Sequence, residues 1–590
     1  MTPGRALETK RGSQPGRAAW AMLSAASALF SRLAPAEGIS RREALALSLV
    51  ALLHVAALVI MVATEVDLVA KVAFLLAWAF LNFICLALVR RPIASALISL
   101  SFIVVLILLS QFKHEKLWMT VDFVDLMIID GDTSAFLLAV IPGLRTQLTL
   151  AGFIVAMLLA IAWRLDPLRV RLRVSALGAT SCLAALTVLS LSYPTDLYED
   201  FFGQNYVSKF ARTGVEAMHE LITHGYLDSR STTAGQLKVP PVAACAPGRK
   251  LPHIILLHNE SSFDITAVPG VNVPPGYKNH FRSFDGKARK LIVEGNGGPS
   301  WFTEYNVLTG LSARSYGRFA TSVTRIAAGR VGRGLPASLA HCGYKTFTLY
   351  PFYGAFLSSR AFQTTTGVGR YLDMTDLGTE NFERDTFYFN QAEKIVARER
   401  GQGPLFLYVY TVANHFPWDS RLRPELTPNW RDLGNPPNVE EYVRRQGMTA
   451  QEYAAWLDRL KHDFPSESFL IVRYGDHQPE FAHLIIDPKV SDAERARQLK
   501  AHDPRYFTSY YAIDAVNFKP ADMSSALPTL EAPYLPLLVQ EAAGVPLDPS
   551  FAEQKKILQR CHGAFYSCAG GEEARRFNRL LIEAGLIKGL

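Results

Sequence analysis

Long apolar runs fill the first third of the chain and short ones punctuate the rest, and the two lengths predict different structures. Five runs, at 44–64, 72–89, 93–110, 146–163 and 174–193, are each about 18–21 residues long. A helix needs roughly 20 apolar residues to cross about 30 Å of hydrocarbon, so each run is read as a membrane span. Beyond residue 250 the runs are short: "HIILLH" (253–258), "KTFTLYP" (345–351), "LFLYVYTV" (405–412) and "FLIVRY" (469–474). They alternate with helical stretches, among them 387–400 and 439–462. Apolar strands without polar alternation are buried on both faces, which predicts a mainly parallel sheet between helices. The fold class is therefore α/β, with a five-helix transmembrane domain in front.

The chain divides on this reading into a basic arm (1–40), a five-span domain (41–195), an interfacial helical connector and linker (196–250) and a large globular domain (251–590). Residues 18–30, "AAWAMLSAASALF", fit either a signal peptide or an amphipathic arm on the cytoplasmic face. Arg41 and Arg42 precede the first span, Arg90 and Arg91 follow the second, and Arg164, Arg169, Arg171 and Arg173 lie between the fourth and fifth. These clusters fall on one side if all five runs cross, and the arginine-rich side is normally the cytoplasm. An odd number of spans then exports the C-terminal domain.

Charge and cysteine content adjust this picture only slightly. The net charge of +8 is carried largely by the arm and these loops. It is read as topology and contact with anionic lipid, with no nucleic-acid partner. Cys85 and Cys182 lie in spans, while Cys245, Cys342, Cys561 and Cys568 lie in what should be an oxidising compartment. Cys561 with Cys568 makes a plausible local disulfide, leaving Cys245 with Cys342. There is no C-x-x-C pair to hold zinc by thiolates.

The candidate chemistry sits where the short runs end. "HIILLH" runs into Asn259 and Glu260, "LFLYVYTV" into Asn414 and His415, and "FLIVRY" into Gly475, Asp476 and His477. Loops beyond the carboxyl ends of parallel strands converge on one crevice. A single Asp-His after a strand is an ordinary turn; three such endings on one edge predict a site. Glu260, Asp476 and His477 form a donor set for a divalent cation such as Zn²⁺ or Mn²⁺, and three protein ligands leave a coordination position open. The stretch "EGNGGPSWFTEYNVLTGLS" (294–312) puts Ser300 after a glycine-rich turn at the start of a helix, where an anion is favoured. Beside a metal its hydroxyl would be an activated nucleophile. The alternative is a plain helix cap completed by Thr303 or Glu304.

These motifs resemble the alkaline-phosphatase superfamily, in its sulfatase-like branch of membrane phosphotransferases. The lipoteichoic acid synthases and the phosphoglycerol transferases that decorate periplasmic glucans are the nearest in pattern. The resemblance runs from the first span to about residue 520 and is strongest at "NES" (259–261), "GPSWFTE" (298–304), "NHFPW" (414–418) and "YGDHQPE" (474–480). It implies Glu260, Asp476, His477 and Ser300 as metal ligands, Ser300 as nucleophile and His415 as a second catalytic residue on the substrate phosphate or departing oxygen. Arg360 and Glu304 fall at substrate-binding positions. It implies one divalent metal, manganese or zinc with magnesium as a third option. The family usually has threonine where this chain has Ser300, with Thr303 as a fallback. The loop "YPFYGAF" (350–356) lacks the tryptophan and histidine of some relatives. A formylglycine sulfatase is disfavoured, because Ser300 is not cysteine and no arginine follows two residues later.

The expected function is a metal-dependent transfer of phosphoglycerol, or phosphoethanolamine, from a phospholipid to an envelope glycan or lipid acceptor. The expected place is the bacterial inner membrane, with the catalytic domain on its periplasmic or extracellular side. Two rivals stay open: a phosphate or sulfate ester hydrolase of the same superfamily, and a metal-free regulatory lipid-binding pseudoenzyme.

Overall fold

The computed structural model describes residues 40–590 apart from 118, 142, 196–198, 200–202, 232–236, 238–244 and 246–249. The basic arm, the 18–30 segment within it and much of the linker lie outside the described residues.

Two compact units emerge. The first comprises residues 1–117, 147–193 and 203–211; the second comprises 118–146, 194–202 and 212–590. This differs from the contiguous division expected from sequence, because the loop between the third and fourth spans belongs to the second unit.

In the first unit five helices are long and apolar enough to cross a membrane: α1 (Arg41–Thr64), α2 (Leu68–Val89), α3 (Pro92–Leu117), and, after two short helices, α6 (Leu144–Leu165) and α7 (Leu172–Ser192). Local chemistry sets their ends. Ser40 and Glu43 form a capping box on α1, and the Asp67 side chain accepts from the Ala70 N–H to cap α2. The buried Asp166, in the loop after α6, accepts from the Ile93 N–H at 2.7 Å and so satisfies a free donor at the start of α3.

The second unit is built on an eight-stranded sheet. Its strands are β1 (His253–Asn259), β2 (Arg289–Ile292), β3 (Lys345–Leu349), β4 (Arg370–Leu372), β5 (Leu405–Thr411), β6 (Phe469–Gly475), β7 (Thr508–Val516) and β8 (Thr529–Glu531). The spatial order is β4-β3-β5-β1-β6-β7-β2-β8, with β7 antiparallel to both neighbours and the other pairings parallel. Every residue of β1, β5 and β6 is buried, which is why their sequences show no polar alternation. One face carries Ile254, Leu256, Tyr408 and Val472 against a helix at Ser300–Thr309; the other carries Ile255, Leu257, Leu407 and Ile471 against helices at Asp385–Glu399 and Pro437–Asp463.

The loop from the first half folds onto this unit through α4 (Phe123–Met127) and α5 (Gly131–Val140). Asp130 accepts from the Ser358 hydroxyl at 2.8 Å, and the Phe136 ring meets Phe352 and Phe356 at 5.7 and 5.2 Å. The helix α8 (Tyr206–His224) opens the connector. Two disulfides join Cys245 to Cys342 and Cys561 to Cys568, and Cys85 and Cys182 are free. The segment after 520 adds β8 to the sheet and buries Leu538, Phe551, Phe577 and Leu581 in the core. It is part of the core.

Candidate active site

Three neighbouring parallel strands end on one edge, and their register decides which side chains meet there. His258 pairs with Tyr410 on β5 and with Tyr474 on β6; Asn259 pairs with Thr411 and Gly475. The next residues, Glu260 after β1 and Asp476 and His477 after β6, therefore leave the sheet side by side.

Gly475 makes this approach possible. A Cβ at that position would lie 1.7 Å from the Ser262 carbonyl oxygen and 2.7 Å from its carbon. Ser261 is bent into the left-handed region at φ 47°, a conformation costing a non-glycine residue about 1 kcal/mol or more. Its N–H donates to Asp476 Oδ1 at 2.7 Å and its hydroxyl to Glu260 Oε1 at 2.9 Å. Asp476 Oδ1 also accepts from the His477 N–H at 2.8 Å. Oδ2 of the same carboxylate is buried without a hydrogen-bond partner.

Ser300 opens the helix α9 (Ser300–Thr309), after a turn in which Gly297 takes φ 70°. Its hydroxyl donates to Glu260 Oε2 at 3.1 Å and lies 3.2 Å from His477 Nε2. His477 Nε2 is 3.4 Å from Glu260 Oε1 and 3.3 Å from Asp476 Oδ2. The His477 Nδ1 faces the Gln478 carbonyl at 2.8 Å. A carbonyl only accepts, so Nδ1 carries the hydrogen and the neutral ring presents a lone pair at Nε2. Residues spread over more than two hundred positions thus meet at His477 Nε2, which lies 3.2–3.4 Å from Ser300 Oγ, Glu260 Oε1 and Asp476 Oδ2.

The charges interact strongly. Burial alone would raise the Glu260 carboxyl, but the hydrogen bond and charge of His477, with His415 and His258 behind it, hold it well below the usual range. Burial alone would lower the His477 imidazole, yet Asp476 and Glu260 push it up to about 9.

This donor set fits a divalent cation. Ligands bonded at about 2.0–2.2 Å to one ion lie about 3.0–3.6 Å apart, which is the spacing seen here. The buried, partnerless Asp476 Oδ2 is the kind of atom a cation satisfies. His258, Glu260 and Asp476 also offer ligand atoms within 4.8 Å of one another. His258 was not singled out from sequence. The available signal was its place two residues before Glu260, which puts both on one strand face.

The other sequence candidates have distinct places. His415 follows β5, half-buried, with Nδ1 on the Phe416 carbonyl at 2.8 Å and its ring against Phe416 and Phe382. Arg445 donates to the backbone carbonyls of His415, Pro417 and Ser420 at 2.7, 2.8 and 3.0 Å, which fixes that loop. Arg360 bonds Asp373 at 2.7 Å and Asp376 at 2.9 Å, so its charge is already shared by two carboxylates. Glu304 is only 2% exposed, which removes it from the surface a substrate could reach. Its Oε1 accepts from Gln363 Nε2 at 2.8 Å and the Ser359 hydroxyl at 3.1 Å; burial raises its pKa against these donors. Thr303, the fallback nucleophile, is fully buried with its hydroxyl donating to the Asp476 carbonyl at 2.6 Å, and serves to tie α9 to the loop after β6.

With this geometry in hand, comparison with known proteins gives a consistent class. Residues 302–510 match the family model "Sulfatase". The matched segment includes Arg360, His415, Asp476 and His477, and begins just past Ser300. That match lies within the α/β unit, which follows the five apolar helices in the chain. Among solved structures it is similar to the Streptococcus pyogenes phosphoglycerol transferase GacH in complex with sn-glycerol-1-phosphate, at 16% identity and TM-score 0.44, covering 59% of this chain and 89% of that one. It is similar to the lipoteichoic acid synthase LtaP from Listeria monocytogenes, at 16% identity and TM-score 0.38, covering 52% and 76%. It is also similar to the integral membrane lipooligosaccharide phosphoethanolamine transferase A (EptA) from Neisseria meningitidis, at 13% identity and TM-score 0.35, covering 70% and 83%. No curated protein matches its sequence.

Proposed function

We propose that this protein is a metal-dependent phosphotransferase of the bacterial inner membrane. In this reading it moves phosphoglycerol, or else phosphoethanolamine, from a phospholipid to an envelope glycan or lipid on the periplasmic or extracellular side. The observation that carries the reading is the Ser300 hydroxyl, set at a helix start between Glu260 Oε2 at 3.1 Å and His477 Nε2 at 3.2 Å. A serine so placed is oriented for attack, and nearby backbone N–H groups favour an anion. The resemblance of "NHFPW" favours phosphoglycerol as the group transferred.

Glu260, Asp476, His477 and Ser300 would hold one divalent cation, manganese or zinc, which when bound lowers the pKa of a hydroxyl and offsets charge on phosphoryl oxygens. Glu260 stays ionised in this environment and orients the serine hydroxyl, whose proton is shed to water. Ser300 Oγ attacks phosphorus, and a phosphoglyceryl-serine ester forms as the bond from phosphorus to the diacylglycerol oxygen breaks. Protonated His415 supplies the departing oxygen with a proton from Nε2. In the second half an acceptor hydroxyl attacks the same phosphorus and gives its proton to His415, the bond from phosphorus to Ser300 Oγ breaks, and Ser300 takes a proton back from water. Arg360, already paired with Asp373 and Asp376, is given no step in this reading.

The test uses the full-length protein in vesicles of phosphatidylglycerol labelled in the head-group glycerol, with an envelope glycan added. Label on the glycan, together with label trapped on Ser300 in a quenched reaction, is the expected result. Label released only as free glycerol phosphate makes the protein a hydrolase. No turnover with any divalent cation makes it a binding protein, and the proposal falls.

A further inference from the structure

His258 and Glu304 are both buried, both ionisable and both unused by the reaction above, and a line of tyrosines joins them. Glu304 receives Gln363 Nε2 and the Ser359 hydroxyl. Ser359 Oγ itself accepts from the Tyr371 hydroxyl at 3.0 Å and from Gln363 at 3.2 Å, so its own proton is free for Glu304. The Tyr410 hydroxyl accepts from Gln363 Nε2 at 3.0 Å. The Tyr408 and Tyr410 rings pack with centroids 4.6 Å apart, and the Tyr408 and Tyr474 hydroxyls are 2.7 Å apart. His258 Nδ1 ends the line, 2.8 Å from the Tyr474 hydroxyl and 3.3 Å from that of Tyr408.

A phenol has one proton to give, and the Tyr408 and Tyr474 oxygens share one hydrogen bond. With Tyr474 giving its proton to Tyr408, the Tyr474 oxygen accepts from His258 Nδ1, which then carries the imidazole hydrogen. Nε2 is left with a lone pair. It lies 3.1 Å from Asp476 Oδ2, out of line for a hydrogen bond, and both atoms are buried without a hydrogen-bond partner. Two acceptors facing each other in a dry site repel, and a cation between them removes the conflict.

We propose that His258 is a further ligand of the cation site, its Nε2 set 3.1 Å from Asp476 Oδ2 while the Tyr474 and Tyr408 hydroxyls hold its Nδ1. The proposal rests on the reading of Glu260, Ser300, Asp476 and His477 as the cation site.

The wild-type full-length protein in detergent, loaded with Mn²⁺ alone, is examined by pulsed electron paramagnetic resonance for nitrogen coupling from bound imidazoles. Two coordinated imidazoles are expected, from His258 and His477, and His258→Gln should leave one. His258→Gln should also weaken Mn²⁺ binding by at least ~10-fold, and Tyr474→Phe should weaken it by a smaller factor. A single imidazole in wild-type protein overturns the proposal, and that measurement needs no variant to fold. Unchanged Mn²⁺ affinity in a folded His258→Gln protein overturns it as well. Bound Mn²⁺ with one imidazole defeats only the role of His258, whereas failure to bind any divalent cation defeats the cation site itself.

Discussion

Ser300 and His477 concentrate the chemistry that can be tested one residue at a time. Ser300→Ala removes the hydroxyl that contacts both Glu260 and His477. It should abolish trapping of labelled phosphoglycerol on the protein, while Ser300→Thr, which keeps a hydroxyl, should retain it. His415→Ala should slow transfer by about 10²–10⁴-fold, the usual contribution of a positioned acid–base group, and leave Mn²⁺ binding unchanged. His477 makes a pH prediction. Its pKa is pushed up to about 9 in the protein without cation, against about 6.5 in an unfolded chain. A raised imidazole pKa stabilises the fold fully below about pH 6.5 and loses that contribution as pH rises through about 9. The metal-free protein should therefore melt at falling temperature across that window. Cation binding must displace the same proton, so apparent affinity should rise up to about tenfold per pH unit until about pH 9. Calorimetric titration with Mn²⁺ at three pH values would show a flat profile if His477 were neutral throughout.

At the scale of elements, two devices hold the strand ends in place. Gly475 lets β6 pass the loop after β1, and no side-chain movement can relieve a Cβ 1.7 Å from the Ser262 carbonyl oxygen. Gly475→Ala should cost more than about 4 kcal/mol, in the range reserved for severe core disruption, and should yield little folded protein on size exclusion. Arg445 is buried against Glu441 at 2.6 Å while its other nitrogens hold three carbonyls of the 415–420 loop. Arg445→Met leaves those carbonyls unpaired and should destabilise by about 3–5 kcal/mol, seen as a lower melting temperature. The same elements show the limits of pattern reading. Strands β1, β3, β5 and β6 are legible because burial on both faces leaves continuous apolar runs. β2, β4 and β8 are three or four residues long, too short for any periodicity to register. β7, "TSYYAIDAV", mixes polar and aromatic residues along an otherwise buried antiparallel strand, so its sequence lacks the signal its neighbours carry.

For the whole molecule, the packing of α5 on the sheet unit bears on topology. The loop 118–143 and the sheet unit are in contact through Asp130, Phe136, Phe352 and Ser358, so both must lie on one side of the membrane. That requires an even number of crossings between them, which α6 and α7 provide. In cells carrying variants free of Cys85 and Cys182, an impermeant maleimide should label Ser134→Cys and Lys489→Cys alike. Arg169→Cys, between α6 and α7, should react only after permeabilisation; opposite behaviour at 134 and 489 would break this arrangement.

Sequence alone determined the membrane-spanning helices, the buried parallel strands and the polar residues at their ends, because each leaves a local mark: run length, missing alternation, and an acid or imidazole after an apolar stretch. Tertiary structure alone decided what those residues touch. It put Ser300, Glu260 and Asp476 within 3.2–3.4 Å of His477 Nε2, withdrew Glu304 and Thr303 into the interior, tied Arg360 to two carboxylates and brought His258 to the site. Distances between residues far apart in the chain depend on strand order and register, and no short stretch of sequence encodes either.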